Sequence, residues 1–208
     1  MKKREILKNN KGYTLAELII VIAIIAVLTT ASFITLGVMH TAKAKEAATI
    51  FESELATVSG MAKNKSVDSD LNGTIDSSEL EDIWGLNIHK VGNKLYLQRV
   101  YYKRKNDGSM TVVALTDSHP FMLANNPNDG KGICLSAYVD IELTDTSGTK
   151  VFDTSAGDYT CGIAFNRRGE CMIHAGTYTF KKKNGSVITK VQLNPNGSYQ
   201  VVSEYSKN

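Results

Sequence analysis

The chain has 208 residues, with 24 Lys or Arg against 21 Asp or Glu and a formal charge of +3. That length holds one ordinary domain plus an appendage but hardly two full domains. The positive surplus is local: residues 1–12 carry Lys2, Lys3, Arg4, Lys8 and Lys11 against Glu5, and the remainder is close to neutral, so nothing calls for nucleic acid as a partner. Three cysteines allow at most one internal disulfide, which excludes a disulfide-stapled scaffold.

The first element comes directly after the basic leader. From Leu18 to Met39 there is no charged residue, a run of 22, which as a helix reaches about 33 Å and can cross a bilayer. Leu18 to Leu28 is wholly apolar, and Thr29, Thr30, Ser32 and Thr35 soften the second half of the run. A cleaved secretory signal ending near Ala31 is one reading, and a plain anchor with its Lys/Arg end inside is another. Neither accounts for Glu17, a carboxylate at the mouth of the run, where an ionisable residue is costly without a partner.

"KGYTLAELIIVIAIIAVL" resembles the precursors of type IV pilins and pseudopilins. The resemblance implies a short leader, removed by a prepilin peptidase between Gly12 and Tyr13, and methylation of the new amino terminus. It implies that the apolar helix is retained and that Glu17, fifth in the mature chain, meets the N-terminal amine of a neighbouring subunit in a fibre. Such a pair attracts more strongly in a low-dielectric bundle than in water, although desolvation offsets much of the gain. Tyr13 stands where the family more often has Phe, and no Pro falls within the helix where many pilins carry one.

Beyond Met39 the pattern turns amphipathic. Ala47, Phe51, Leu55, Val58 and Ala62 recur at spacings of three and four, with Lys43, Lys45, Glu46, Glu52 and Glu54 placed off the stripe. The spacing predicts one helix from Tyr13 to about Ser66, embedded over 13–39 and packed on a head beyond.

Between helix and head lies "DSDLNGTIDSSE", residues 68–79. It fits the twelve-residue calcium loop of EF-hands in register. Asp68, Asp70 and Asn72 offer side-chain oxygens at positions one, three and five, and Gly73 permits the turn at six. Thr74 offers its carbonyl at seven, Asp76 acts at nine, and Glu79 closes the loop with a bidentate carboxylate. Leu80, Ile83 and Trp84 suggest a short helix after it. No second loop is visible, so a lone calcium site is expected rather than a paired sensor.

The rest reads as strands. "KLYLQRVYYKRK" (94–105) and "SMTVVALTD" (109–117) flank an Asp-Gly turn, and "GICLSAYVDIELTD" (132–145) alternates. "YTCGIAFNRRGECMIHAG" (159–176) gives two strands across "NRRG", and 177–205 gives three more separated by Asn-Gly turns. Residues 119–131 carry the least pattern and read as a long loop. Cys171 and His174 form a C-x-x-H spacing that Cys134 and Cys161 could complete as a Cys₃His zinc site. Residues three apart on a strand point to opposite faces, which ranks zinc below free buried thiols or one Cys161–Cys171 disulfide. No phosphate loop or nucleophile elbow appears, so an enzyme is not expected.

The expected fold is α+β, a long N-terminal helix packed on an antiparallel β-sheet head. It divides into a leader (1–12), the long helix (13–66), the calcium loop with a short helix (67–84) and a β-rich head (85–208). The expected role is a major or minor pilin. It would be inserted once in the cytoplasmic membrane, then assembled with copies of itself or other pilins by the pilus machinery into a surface fibre. A pseudopilin of a type II secretion or DNA-uptake system shares every N-terminal feature, and a secreted or anchored calcium-dependent binding or adhesion domain is the rival of another class.

Overall fold

The computed structural model describes residues 13–64, 83–104, 110–112, 120–156, 160–183 and 185–202. They fall into two units, Met1–Met39 and His40–Asn208. Helix α1 (Leu15–Asn64) runs unbroken for 50 residues, about 75 Å at 1.5 Å per residue. The fold is α+β, with the second half of α1 packed against two antiparallel sheets.

The first sheet contains β1 (Ile83–Val91), β2 (Lys94–Arg104), β3 (Met110–Val112), β4 (Ile133–Ser136), β7 (Thr160–Phe165) and β8 (Cys171–Ile173). Its order is β3-β2-β1-β7-β8, with β4 also on β2. The second contains β5 (Val139–Asp145), β6 (Lys150–Asp153), β9 (Gly176–Lys182), β10 (Val187–Leu193) and β11 (Tyr199–Val202), in the order β11-β10-β9-β5-β6. The alternating run 132–145 is therefore two strands in different sheets: β4 ends at Ser136 and β5 begins at Val139. The chain changes sheets across Ala137 and Tyr138, a break that uninterrupted alternation does not reveal.

Both sheets close on one stripe of the helix. Ala44, Ala47, Ala48, Phe51, Leu55, Val58 and Ala62 are buried in a core shared with Leu86, Leu97 and Ile163 of the first sheet and Ile141, Tyr178 and Phe180 of the second. Burying a large apolar side chain is worth about 1.5–3 kcal/mol, so Phe51, Leu55 and Val58 are principal contributors. The Phe51 ring lies 4.8 Å from that of Tyr178 and 5.6 Å from that of Phe180. Small residues at 44, 47 and 48 let the helix backbone approach the sheets before the large ones fill the centre.

Two sequence expectations change. Glu54, expected among the solvent-facing charges, is 5% exposed. It sits three residues after Phe51 and four before Val58, within the stripe. Its carboxylate accepts from Arg99 Nε at 2.7 Å and Nη2 at 2.8 Å, a bidentate pair that ties α1 to β2. Residues 119–131 are not all loop: α2 (Pro120–Asn125) places Phe121 against Trp84 (5.4 Å) and edge-on to Tyr101 (5.0 Å).

The turn after α2 completes the edge of β2. Residues 95–97 of β2 face β4, and residues 102–104 face β3. Arg99 lies in the gap, where the Asn126 side chain accepts from its N–H (2.7 Å) and donates to its C=O (2.9 Å). One amide thus satisfies two backbone groups that no strand reaches. Gly132, with φ +98°, brings this segment so close to β2 that a Cβ there would stand 2.0 Å from the Leu97 carbonyl oxygen.

Removing one member of a buried ion pair leaves a charge without a partner, which costs about 3 kcal/mol or more. Arg99→Leu should therefore destabilise the chain by about 3 kcal/mol, and Glu54→Leu in the same chain should recover much of that loss. A double-mutant cycle in chemical denaturant checks it, and simply additive losses would show that the pair carries no coupling.

Candidate functional site

Among the described residues of the first unit, 13–39, the chain is a helix from Leu15 onward with no polar face. Tyr13 is 86% exposed and Phe33 74%, and Leu18, Ile19, Ile20, Val21, Ile22, Ile24, Ile25, Val27 and Leu28 are all exposed as well. Consecutive apolar positions cover every side of a helix, so no rotation hides them from water. An 18-residue window of α1 has a mean hydropathy of 2.7 and none of it is buried. The softer stretch conceals its polarity locally. Thr29 Oγ donates to the Ala26 carbonyl (2.9 Å), Thr30 Oγ to that of Val27 (2.8 Å) and Ser32 Oγ to that of Leu28 (2.9 Å). Hydroxyls bonded back to their own helix bring no unsatisfied donor into hydrocarbon.

Glu17 has a local partner that the sequence reading missed. Thr14 N–H and Thr14 Oγ–H both donate to its Oε2, at 2.8 and 2.9 Å, and Glu17 N–H donates back to Thr14 Oγ at 3.2 Å. This is a capping box: Thr at the N-cap and Glu three residues on satisfy each other's orphan groups. The T-x-x-E pattern ahead of an apolar run was the available signal. The carboxylate stays exposed at the positive end of the helix dipole, so the cap orients it without covering it. Tyr13 is the first described residue. Gly12 lies outside the described residues.

The calcium-loop residues Asp68, Asp70, Asn72, Thr74, Asp76 and Glu79 also lie outside the described residues. The short helix expected after them does not extend to Ile83 and Trp84, which open β1. The clue was the mainly apolar run to Ile88, broken by Asn87, which β1 buries on both faces.

The four residues considered for zinc are not assembled. Cys134 on β4 is opposite Tyr96, Tyr96 is opposite His89, and His89 is opposite Thr160, next to Cys161. Three strand spacings of about 4.8 Å place Cys134 about 14 Å from Cys161. Among the described residues no group of three or more His, Cys, Asp or Glu gathers as a metal site. The expected alternative of a Cys161–Cys171 bridge does not form either. The register pairs Cys171 with Phe165, four residues along β7 from Cys161, and all three thiols are free.

Cys161 and His174 do meet, at 3.5 Å from Sγ to Nδ1. The same nitrogen is 2.7 Å from the Gly162 carbonyl oxygen. A carbonyl only accepts, so Nδ1 carries the proton and donates it there. It cannot also take a proton from the thiol. Burial pushes the Cys161 thiol up to about 12 and Cys171 up to about 11. The pair is an inert packing contact, not an activated nucleophile.

Residues 7–33 match the family described as prokaryotic N-terminal methylation motif. That match spans the end of the basic N-terminal segment, the Gly12–Tyr13 pair, the capping box and the first part of the apolar helix. The chain thus has a prepilin-like N-terminus. No curated protein matches the chain, and no solved structure does.

The buried thiols have a measurable consequence. Native protein treated with iodoacetamide at neutral pH should be modified at the half-buried Cys134 at least about tenfold faster than at Cys161 or Cys171. Peptide mass mapping reads the three rates. Comparable rates in the native state would contradict the packing described.

Proposed function

We propose that this chain is a type IV pilin-like subunit that assembles into a fibre through α1. The observation that carries the reading is a helix whose first half is apolar on every side and holds one carboxylate, fixed at its mouth within a methylation motif. Prepilin peptidase would cut between Gly12 and Tyr13 and leave a new amine close to the capping box. The cytoplasmic membrane holds the helix first, and other copies, or other pilins, replace the lipid when the assembly machinery extracts the subunit.

The capping box sharpens the role of Glu17. In a lone subunit its Oε2 is occupied by Thr14, while the other carboxylate oxygen remains for a neighbour's amine. The carboxylate is held in one orientation before assembly, which lowers the ordering cost of docking.

Mass spectrometry of the mature chain should find Tyr13 at its start, with one methyl group on the amine. Gly12→Val should block that processing, and recovery of mature-length protein would count against the assigned cut. Glu17→Gln should abolish most fibre while leaving insertion and cleavage intact. Thr14→Ala, which removes the cap but keeps the charge, should retain far more fibre. Because Gln can still cap, fibre kept by Glu17→Gln but lost by Thr14→Ala, read by electron microscopy of sheared fibres, would reduce Glu17 to a cap.

We also propose that residues 68–79 bind one calcium ion. The support is the register of Asp68, Asp70, Asn72, Thr74, Asp76 and Glu79 in the sequence. Four carboxylates within twelve residues repel one another until a cation joins them. Saturation at one hundred times the dissociation constant should add about 2.7 kcal/mol to stability. A lone extracellular loop suggests an affinity of about 10⁻⁴ to 10⁻³ M. The full chain in detergent, melted in millimolar calcium and in chelator, should give separated curves, and Glu79→Gln should close most of the gap. Coincident curves for the unaltered chain would leave the loop an acidic turn.

A further inference from the structure

The chain enters the second unit at His40, one residue after the uncharged run ends. A sequence of contacts maps the surface around that entry. The His40 ring stacks on Tyr138 at 4.8 Å, and the Tyr138 carbonyl accepts from Lys183 N–H at 3.2 Å. Lys182 is paired with Val139 at the start of β5. Lys183 Nζ donates to the Asn93 side chain in the β1–β2 turn, and Lys94 comes directly after Asn93. One end of the head therefore gathers Lys94, Lys182 and Lys183 around the point where the helix enters. Among the described residues none of these three is in an ion pair, whereas Lys43, Lys150 and Lys181 are. Of the described carboxylates near this end, Asp140 faces the Thr154 hydroxyl at 3.4 Å, while Glu46 is already paired with Lys43 and Asp153 with Lys150.

The same end exposes apolar side chains. Val91, Tyr138 and Val187 are 44%, 44% and 42% exposed. Lysines interleaved with a tyrosine and aliphatic groups suit a bilayer interface. There the apolar parts enter the headgroup layer, ammonium groups reach phosphates, and a tyrosine ring spans the two. An acidic protein would also answer the charge, but it would not explain why the patch surrounds the entry of an apolar helix.

We propose that this end of the head docks on anionic phospholipid headgroups while the subunit waits in the membrane. The inference rests on reading α1 as a membrane anchor. Docking would hold the head against the bilayer and make extraction into a fibre sensitive to lipid charge and to salt. Neutral lipids give the lysines no such partner.

The test uses the full chain in vesicles of phosphatidylcholine alone and of phosphatidylcholine mixed with phosphatidylglycerol. A membrane-impermeant acylating reagent is added outside, and each lysine is quantified by mass spectrometry. In the anionic vesicles, labelling of Lys94, Lys182 and Lys183 should fall about threefold or more at low salt. The loss should disappear near 1 M salt, where the Debye length is about 3 Å. Lys103, at the opposite end of β2, should be unchanged. Equal labelling in both vesicle types overturns the proposal and leaves the patch for an acidic protein. An equal fall at Lys103 also overturns it, because it would report surface potential rather than docking. Flotation of the same samples tests the anchor separately: protein that does not float with either vesicle type would refute the anchor itself.

Discussion

One helix carries two different surfaces. Over its first half every direction is apolar and exposed, and over its second half a single stripe is buried between two sheets. The head depends on that stripe. Neither sheet covers its own inner face, because Phe51 fills the space against Tyr178 and Phe180 while Leu55 and Val58 continue the same core. A sheet with one apolar face must bury it against another element, and here both sheets use the same helix. The first half faces the complementary constraint. It has no polar face with which to meet water, so it needs lipid or other helices.

Glu54 and Arg99 show how the helix is fixed in register. Apolar packing alone tolerates sliding and rotation by small steps. A bidentate pair does not, because its two hydrogen bonds, 2.7 and 2.8 Å long, require one alignment of carboxylate and guanidinium. Arg99 is in turn held by Asn126, which takes both of its backbone groups. Helix, strand and the turn after α2 therefore meet at one residue. Burying the pair contributes little to net stability compared with apolar groups of similar size. Its contribution is a single rotation of α1 against the first sheet.

The sequence made the repetitive parts of the fold readable and concealed the exceptions. The long helix, the hairpin across "NRRG" and the last three strands arise from periodicity and Asn-Gly turns, and the structure has them. Strand β1 was hidden because "IWGLNIHKV" is buried on both faces over its first six residues and so shows no alternation. Its Gly85 also lacks a side chain for a reason visible only in three dimensions: the Tyr102 ring would lie 2.2 Å from a Cβ there. The sheet change at Ala137–Tyr138 left the alternation intact and was equally invisible. Glu54 was misplaced because a carboxylate in an amphipathic pattern is assumed to face water. That assumption fails when a partner 45 residues away supplies the guanidinium.

At the candidate site, legibility tracked the range of the interaction. The methylation motif and the exposed apolar run are local, and the sequence carries them whole. The capping box is local too, its two ends only three positions apart, and was hidden behind the longer-range explanation for Glu17. The two roles are compatible for a geometric reason. A cap uses the carboxylate to satisfy the Thr14 groups on the subunit's own side, and Oε2 accepts both of those donors. A carboxylate has about four lone-pair sites on two oxygens, so accepting two local bonds does not exhaust it. The cap holds Glu17 by Oε2, and the carboxylate remains exposed with acceptor capacity unfilled. A charge at the mouth of an apolar helix can thus be held steady before assembly and still be available when another helix arrives.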